Sequence, residues 1–252
     1  MKFKNKVVLI TGGSKGIGRA TAIAFADAGA KVVITYKEDD DAADATLAML
    51  NGGSHFRMKA DLTSIQQISD LVDEVVKRFG RIDILVNNAG VFVQHKIQSD
   101  PFEKWANDWK LTLDTNLTGP AHMCYFVVQY MIKQGGGKII NVSSRGAFRG
   151  EPDSPAYGAS KAGLNSMSQS LAQALAPYNI YVGVIAPGWV ETDMTRDILN
   201  GPAGEPIRQQ SPLKRIAKPE EVAYAILMFA GDGSEYMTGG IIDVNGASYL
   251  RS

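Results

Sequence analysis

Three polar residues near the middle of the chain have types and spacing that could move a proton. Tyr157 and Lys161 are four positions apart, and Ser144 precedes Tyr157 by 13 residues. Side chains four apart on a helix share one face, so the phenol and the ammonium can point to the same place. A nearby cation lowers the pKa of a phenol from its unperturbed value of about 10. The spacing predicts a general acid or base near neutral pH, and the alternative is an ordinary helix with a buried tyrosine.

A glycine-rich turn, residues 11–18, joins the first apolar run of the chain to a helical pattern. Glycines let a chain turn sharply off a strand and let backbone N–H groups approach a pyrophosphate at the start of the next helix. The spacing Gly12-x3-Gly16-x-Gly18 differs from the G-x-G-x-x-G fingerprint, and no Gly-Lys-Ser/Thr follows, which excludes a P-loop NTPase. A turn without a ligand is the alternative for this motif alone.

A second turn, Asn87-Asn88-Ala89-Gly90, follows the fourth apolar run. Amides and small residues at the carboxyl end of a strand lie where open α/β sheets bind ligands. Taken alone, this segment is equally compatible with an asparagine-rich turn.

The elements that must position these groups alternate along the chain between short β-branched runs and segments with helical spacing. Continuous apolar runs are typical of strands covered on both faces, so the alternation predicts a parallel sheet between helices, in one domain over residues 1–252. The predicted strands are Val7–Thr11, Val32–Tyr36, Phe56–Ala60, Ile82–Val86, Lys138–Val142, Tyr181–Ile185 and Ile241–Val244.

Two further predictions concern local structure. Thr63 with Gln66 three residues later predicts a capping box at the start of the helix that follows. Residues Asn200–Pro219 hold four prolines and two glycines, which predicts a mobile loop.

Composition excludes several classes of protein. The chain of 252 residues carries 26 Lys+Arg and 26 Asp+Glu, a formal net charge of zero, which argues against a nucleic-acid binder and a surface-adsorbed membrane protein. A single cysteine, Cys124, excludes an internal disulfide and a cysteine-cluster metal site. The three histidines His55, His95 and His122 lack metal-ligand spacing, so we expect no metal site. Apolar runs fall short of the roughly 18 residues that span a bilayer, and a secretory signal pattern is missing, so we expect a cytoplasmic protein.

Together, the motifs resemble those of the short-chain dehydrogenase/reductase family over essentially the whole chain. Within that family the sequence is most similar to the 3-oxoacyl-(acyl-carrier-protein) reductase-like group. The motifs, in chain order, are the glycine turn, Asn87-Asn88-Ala89-Gly90, Asn116, Ser144, Tyr157, Lys161, Pro187-Gly188, Glu191-Thr192-Asp193-Met194 and Val244-Asn245-Gly246.

The resemblance implies a Rossmann-type doubly wound sheet of about seven parallel strands flanked by helices. It also implies reversible hydride transfer between a nicotinamide and a carbonyl or secondary alcohol. Tyr157 is then expected to donate the proton, and Ser144 to hydrogen-bond the reacting oxygen. Lys161 is expected to bind the nicotinamide ribose and lower the pKa of Tyr157, and Asn116, in the fourth helix, to hold a water molecule.

The resemblance implies that the cofactor lies against four turns and against two residues of the helix that carries the tyrosine. The implied contact residues are Gly12, Ser14, Gly16, Ile17 and Gly18; Asp61 and Leu62; Asn88, Ala89 and Gly90; and Pro187, Gly188, Val190 and Thr192, together with Tyr157 and Lys161. Tyr36 occupies the position where NAD enzymes of this kind carry an acidic residue, and Lys37 and Lys15 lie beside it, which favours NADP(H). The acidic run 38–41 opposes a 2′-phosphate, so NAD(H) is possible.

The predicted substrate is a small-molecule carbonyl or alcohol, and Phe92, Phe148, Trp189 and Met194 suit a partly apolar one. The narrower alternative is a 3-oxoacyl-(acyl-carrier-protein) reductase of fatty-acid synthesis, although residues 135–137 and 177–179 lack the cations that would meet an acidic carrier. An alternative of another class is a protein that senses a dinucleotide without turnover. By resemblance we expect a homo-oligomer, a tetramer or a dimer.

Overall fold

A seven-stranded parallel sheet forms the centre of the molecule. The structure is a computed structural model, and it describes residues 2–251. The strand order is β3-β2-β1-β4-β5-β6-β7, and every neighbouring pair is parallel. This confirms the predicted Rossmann-type sheet. The strands are β1 Val7–Ile10, β2 Lys31–Tyr36, β3 Phe56–Lys59, β4 Ile84–Asn87, β5 Gly137–Val142, β6 Ile180–Pro187 and β7 Ile241–Val244.

Helices cover both faces of the sheet. They are α1 Gly16–Asp27, α2 Asp40–Ala48, α3 Ile65–Phe79, α4 Phe102–Leu113, α5 Gly119–Gln134, α6 Gly146–Arg149, α7 Pro155–Leu175, α8 Arg196–Asn200, α9 Gly204–Gln209 and α10 Pro219–Ala230. A π-helical segment, Asp114–Thr118, joins α4 to α5. Within residues 2–251, none of the helices is long and apolar enough to cross a membrane.

Alternation along each strand divides the core into two layers. Val8 and Ile10 of β1 pack with α1 and α10, whereas Val7 and Leu9 pack with α3, α5 and α7. Successive strand side chains point to opposite faces, so a strand buried on both sides must be apolar throughout. This explains the continuous apolar runs of the sequence.

The order in which strands are added to the sheet reverses beside β1, and a crevice opens there at the carboxyl ends of the strands. β1 pairs with β2 on one side and with β4 on the other. The connections that leave β1 and β4 therefore diverge, which is where open α/β sheets bind ligands.

The predicted capping box is wrong by one residue. The helix begins at Ile65, and the Ser64 hydroxyl at its N-cap accepts a hydrogen bond from the Gln67 N–H, at 3.4 Å. Thr63 is unavailable because its hydroxyl donates to the Asp61 carboxylate, at 2.8 Å. Thr63 and Ser64 can both cap a helix, and the hydrogen bond of Thr63 to Asp61 leaves Ser64 as the N-cap residue.

The prediction of a mobile loop over Asn200–Pro219 is also wrong, because α9 lies within it. Ile207 of α9 is buried and packs with Leu199 and Ile216 in a small core of its own. Pro206 is tolerated because it falls in the first turn of the helix, where its missing N–H has no intrahelical acceptor.

Candidate active site

Helix α7 carries the tyrosine and the lysine, and it presents both to the crevice. Lys161 Nζ donates to the carbonyl oxygen of Val142 at the end of β5, at 2.8 Å, and lies 5.8 Å from the centroid of the Tyr157 ring. Ser144 follows β5 by two residues, and its hydroxyl accepts a hydrogen bond from the Gly146 N–H, at 3.0 Å. Ser144, Tyr157 and Lys161 line one cleft.

The expected direction of the Tyr157 pKa is wrong for this structure. Burial raises the pKa of Tyr157 above its usual value, the Ser144 hydroxyl lowers it in part, and the Glu151 carboxylate raises it further. Burial also lowers the pKa of Lys161 to about 8. Removal from water disfavours both the phenolate and the ammonium, and the Lys161 head is engaged by a backbone carbonyl. Desolvation therefore outweighs the attraction that the four-residue spacing suggested.

Asn116 lies beneath the cleft rather than on its surface. It belongs to the π-helical segment Asp114–Thr118, not to a regular fourth helix, and it is fully buried. Its Oδ1 accepts from the N–H of Val91 at 2.8 Å, and its Nδ2 donates to the Val91 carbonyl at 2.9 Å. Nδ2 also donates to the Ser160 hydroxyl of α7, at 3.2 Å. Asn116 thus joins the turn after β4 to the helix that carries Tyr157.

The cleft has a volume of about 660 Å³, within the range of ligand pockets in proteins. Its walls come from the turns after β1 to β6, so the chain brings together segments that are far apart in sequence. Of the residues predicted to hold a cofactor, those that line it are Gly12, Ser14, Lys15, Gly16, Ile17, Tyr36, Lys37, Asp61, Leu62, Asn88, Ala89, Gly90, Tyr157, Lys161, Pro187, Gly188, Val190 and Thr192.

The glycine turn forms a cradle that larger residues would fill. Gly12 has a φ of +64°, and a Cβ there would lie 2.9 Å from the Cα of Ala89. A Cβ on Gly18 would lie 2.2 Å from the carbonyl oxygen of Gly12. Gly18 therefore packs α1 against the turn behind the cleft, where the sequence had predicted a residue in contact with the cofactor.

The start of α1 offers backbone N–H groups to this cradle. Lys15 at the N-cap position makes no side-chain hydrogen bond that caps the helix, among the residues described. The first N–H groups of a helix lack intrahelical partners, and the helix dipole favours negative charge there. This arrangement fits the pyrophosphate of a dinucleotide.

The Asn87-Asn88-Ala89-Gly90 turn holds the glycine turn in place. Asn88 Nδ2 donates to the carbonyl oxygens of Thr11 and Gly12, at 3.0 and 3.1 Å. In return, the Thr11 hydroxyl accepts from the N–H groups of Asn88 and Ala89, at 3.0 and 3.1 Å. The two turns form one rigid wall of the cleft.

At the end of β2, the two predicted cations are already paired with carboxylates. Lys15 Nζ lies 2.5 Å from the Asp39 carboxylate, and Lys37 Nζ lies 3.0 Å from that of Asp61. The Tyr36 hydroxyl donates to Asp40, at 2.6 Å. Both lysine–carboxylate pairs are partly exposed, so they are weak and exchangeable.

Arg57 on β3 is a third cation near the end of β2, and the sequence analysis did not predict it. Its guanidinium contacts the Tyr36 hydroxyl and lies 3.0 Å from the Asp40 carboxylate. The register of β2 and β3 brings it there, with Ile34 opposite Arg57. The polar residues of β3 could have indicated a cation near Tyr36, but the register between β2 and β3 cannot be derived from the sequence of one strand alone.

The aromatic and apolar residues assigned to the substrate pocket separate into two groups. The Phe92 ring meets the Tyr157 ring edge to face, with centroids 4.9 Å apart, and Met194 lines the same cleft. Trp189 packs on the small core around α9, and the Phe148 ring lies under Arg251. Only the first group is placed to meet a substrate beside Tyr157.

A family model described as enoyl-(acyl carrier protein) reductase matches residues 12–247, which is nearly the entire chain. The chain belongs to the short-chain dehydrogenase/reductase family. It is accordingly an NAD(P)-dependent oxidoreductase that acts on a carbonyl or alcohol group. The resemblance inferred from the sequence is confirmed.

Relatives of this short-chain dehydrogenase/reductase match it over nearly their full length. A 3-oxoacyl-(acyl-carrier-protein) reductase FabG from Thermotoga maritima is 41% identical over 253 residues, which are 98% of each chain. A 3-oxoacyl-(acyl-carrier-protein) reductase from Synechocystis sp. is 38% identical and covers 97% of each chain. A crystal structure of a dehydrogenase/reductase from Sinorhizobium meliloti 1021 has a TM-score of 0.91 at 27% identity, covering 99% of this chain and 97% of that chain.

Proposed function

We propose that the protein transfers a hydride reversibly between NADP(H) and a small carbonyl or secondary alcohol, with Asn116, Ser144, Tyr157 and Lys161 as its working residues. One observation carries the proposal: Ser144, Tyr157 and Lys161 converge on the cleft that the glycine turn bounds. We propose that the remaining predicted residues along that cleft hold the dinucleotide.

When bound, the nicotinamide supplies or accepts the hydride. Tyr157 donates the phenol proton to the carbonyl oxygen during reduction. Its raised pKa suits this role, because the phenol stays protonated at neutral pH. Ser144 accepts from the Gly146 N–H, which leaves its own hydrogen free to donate to the same oxygen.

Lys161 and Asn116 assist Tyr157 by binding the cofactor ribose and a water molecule, respectively. The Lys161 ammonium uses one donor on Val142, so further N–H groups are free for the hydroxyls of a ribose. Its pKa of about 8 keeps it mostly charged at neutral pH. Asn116, whose Nδ2 donates to Ser160 of α7, would hold a water molecule that resupplies the proton that Tyr157 donates to the substrate.

The preference for NADP(H) over NAD(H) rests on the end of β2. Tyr36 replaces the carboxylate that would bind a ribose 2′-hydroxyl, and Lys15, Lys37 and Arg57 lie around it. A 2′-phosphate would draw Lys15 and Lys37 from their carboxylates, which remain as an opposing charge. The test is the ratio of kcat/KM for NADPH to that for NADH, and a ratio below one contradicts the preference.

A 3-oxoacyl-(acyl-carrier-protein) reductase is the second candidate, and the names of relatives 38 and 41% identical favour it. The segments 135–137 and 177–179, which contain no cation, argue against a docking site for an acidic carrier. A 3-oxoacyl thioester presented on the carrier and on a short thiol separates the candidates. A KM at least tenfold lower on the carrier supports the second candidate.

The decisive experiment is a panel of ketones, sugars, steroids and acyl thioesters assayed with both reduced cofactors. Turnover with one of these classes supports the proposed function. Tight binding of a dinucleotide without turnover across the panel would favour the non-catalytic sensor.

Subunit assembly is proposed from exposed apolar side chains on two helices. Tyr125 and Ile132 of α5, and Tyr224 and Met228 of α10, face outward. Light scattering of the purified protein would show a dimer or tetramer if these faces pair. Organisation as one domain and location in the cytoplasm stay predictions from the sequence.

A further inference from the structure

The helix that carries Tyr157 starts without a cap from its own side chains. Ser154 occupies the N-cap position of α7, yet its hydroxyl makes no hydrogen bond within residues 2–251. Pro155 follows and has no N–H. The next N–H, that of Ala156, donates to Nε2 of His95, at 3.1 Å. A histidine 61 positions earlier in the chain thus supplies the acceptor that N-cap side chains usually provide.

The imidazole of His95 is held in the orientation that this hydrogen bond needs. Its Nδ1 lies 2.9 Å from the carbonyl oxygen of Val93, which can only accept. Nδ1 therefore carries the hydrogen, and Nε2 presents its lone pair to Ala156. The ring is fully buried, with Trp105 and Trp109 edge to face against it.

His95 also ends a segment that is attached along its length to the catalytic helix. We name residues 91–95 the clamp segment. At its start, both backbone groups of Val91 are hydrogen-bonded to Asn116, and next to it the Phe92 ring packs on Tyr157. At its end, the backbone N–H of His95 donates to the carbonyl oxygen of Asp153, at 2.9 Å. The segment thus contacts Tyr157 itself and the residues just before it, and it is linked to Ser160 on the other side through Asn116.

We propose that His95 is a positioning residue, which fixes the first turn of α7 through Ala156 so that the Tyr157 hydroxyl keeps its place in the cleft. This inference rests on the proposed role of Tyr157 as proton donor. Tyr157 directly follows Ala156, so a shift of the Ala156 backbone moves the phenol. A displacement of about 1 Å in a reacting group costs about 100-fold in rate.

Two substitutions by amide side chains distinguish the effect of the capping hydrogen bond from the other effects of losing the imidazole ring. His95→Gln places an amide oxygen near the position of Nε2, whereas His95→Asn reaches only the position of Nδ1. We expect His95→Asn to lower kcat by about 10- to 100-fold while the dinucleotide Kd changes less than about twofold. His95→Gln should recover most of kcat. The readouts are kcat, the KM of the substrate and the Kd of the dinucleotide.

His55 provides the matched control. Its ring also accepts a backbone N–H, that of Val32, at 3.1 Å, but it lies outside the cleft. Because that contact is made by Nδ1, His55→Phe is the substitution that removes the acceptor, and it should leave kcat unchanged even if it lowers the melting temperature. Equal kcat values for His95→Gln and His95→Asn would overturn the positioning role, and so would a loss of kcat for His55→Phe equal to that for His95→Asn.

The outcomes keep this inference apart from the proposed function. If Tyr157→Phe abolishes turnover and His95→Asn retains full kcat, the proposed function stands and the role of His95 is overturned. If Tyr157→Phe retains turnover, the proposed function itself fails. Should His95→Asn lose dinucleotide binding, His95→Phe takes its place against His95→Gln, since it keeps the ring and removes the acceptor.

Discussion

The two ends of the cleft are built on different physical principles. Beside the end of β5, Lys161 is buried and its Nζ donates to the Val142 carbonyl, while the half-buried Tyr157 ring packs on Phe92. At the end of β2, Lys15 and Lys37 are about half exposed and pair with carboxylates that are themselves partly exposed. Buried polar groups are costly to alter, whereas exposed ion pairs contribute little and exchange partners readily. We therefore expect substitutions around Tyr157 and Lys161 to reduce turnover strongly, and substitutions at the end of β2 to change the cofactor preference by small factors.

The largest effect is expected when the hydroxyl of Tyr157 is removed. Tyr157→Phe should lower kcat by at least about 10²- to 10⁴-fold, the usual contribution of a general acid, because Phe has no proton to donate. The Kd of the dinucleotide should change little, since the Phe ring keeps its contact with Phe92. Titration of the dinucleotide by fluorescence provides the control, and turnover at the wild-type rate would disprove the assigned mechanism.

The pH dependence tests the buried lysine. Because burial lowers the pKa of Lys161 to about 8, the ammonium is present below that pH and is lost as the pH rises through it. The pKa of Tyr157 is raised, so the phenol stays protonated over the same range. For reduction, kcat/KM of the cofactor should fall about tenfold per pH unit above the midpoint.

Lys161→Arg should remove this alkaline limb, because a guanidinium stays charged throughout. Lys133→Arg, an exposed lysine on α5, is the matched control and should leave the profile unchanged. A wild-type profile that is flat to pH 10 would contradict the assignment.

Smaller changes are expected at the end of β2. Lys37→Gln should lower the NADPH to NADH ratio of kcat/KM by about two- to fivefold, the value of one exposed ion pair. Asp39→Asn should raise that ratio by a similar factor, because it releases Lys15. Asn still accepts the N–H of Ala42 that Asp39 accepts at 2.9 Å, so α2 keeps its cap. Shifts of both variants in the same direction would contradict a role for these charges.

The smallest effect is expected at an ion pair outside the cleft. Contacts with Arg215 and with the Lys218 N–H lower the pKa of Glu221 to about 2. The Glu221 side chain is 40% exposed, so Glu221→Gln should lower the melting temperature at neutral pH by no more than about 2 °C. The contribution is present above the unfolded pKa and disappears as the pH falls toward 2. A larger loss would contradict the small contribution that is assigned here to exposed ion pairs.

Much of the fold was predictable from the sequence because strands buried on both faces leave continuous apolar runs. β7 was predicted with its observed bounds, and the others shift by one or two residues at their ends. The start of α3 and the helix α9 were missed. Competition between Thr63 and Ser64, and the burial of Ile207 by Leu199 and Ile216, depend on neighbours that the local pattern does not contain.

The candidate site divides in the same way. Ser144, Tyr157 and Lys161 were recognisable because their spacing is set by one strand end and one helix turn. Arg57 and His95 were not, because each acts on a residue that only the sheet register or a long loop brings near.

The sequence by itself determined the family, the parallel sheet and the identity of the groups in the cleft, since these follow from periodicity and from motifs in a fixed order. Only the tertiary structure decided the protonation of those groups. Tyr157 and Lys161 were expected to assist each other as a charged pair, yet both shift toward their neutral forms. A pKa depends on how much water the fold removes and which partner it supplies, and neither is encoded in a spacing of four residues.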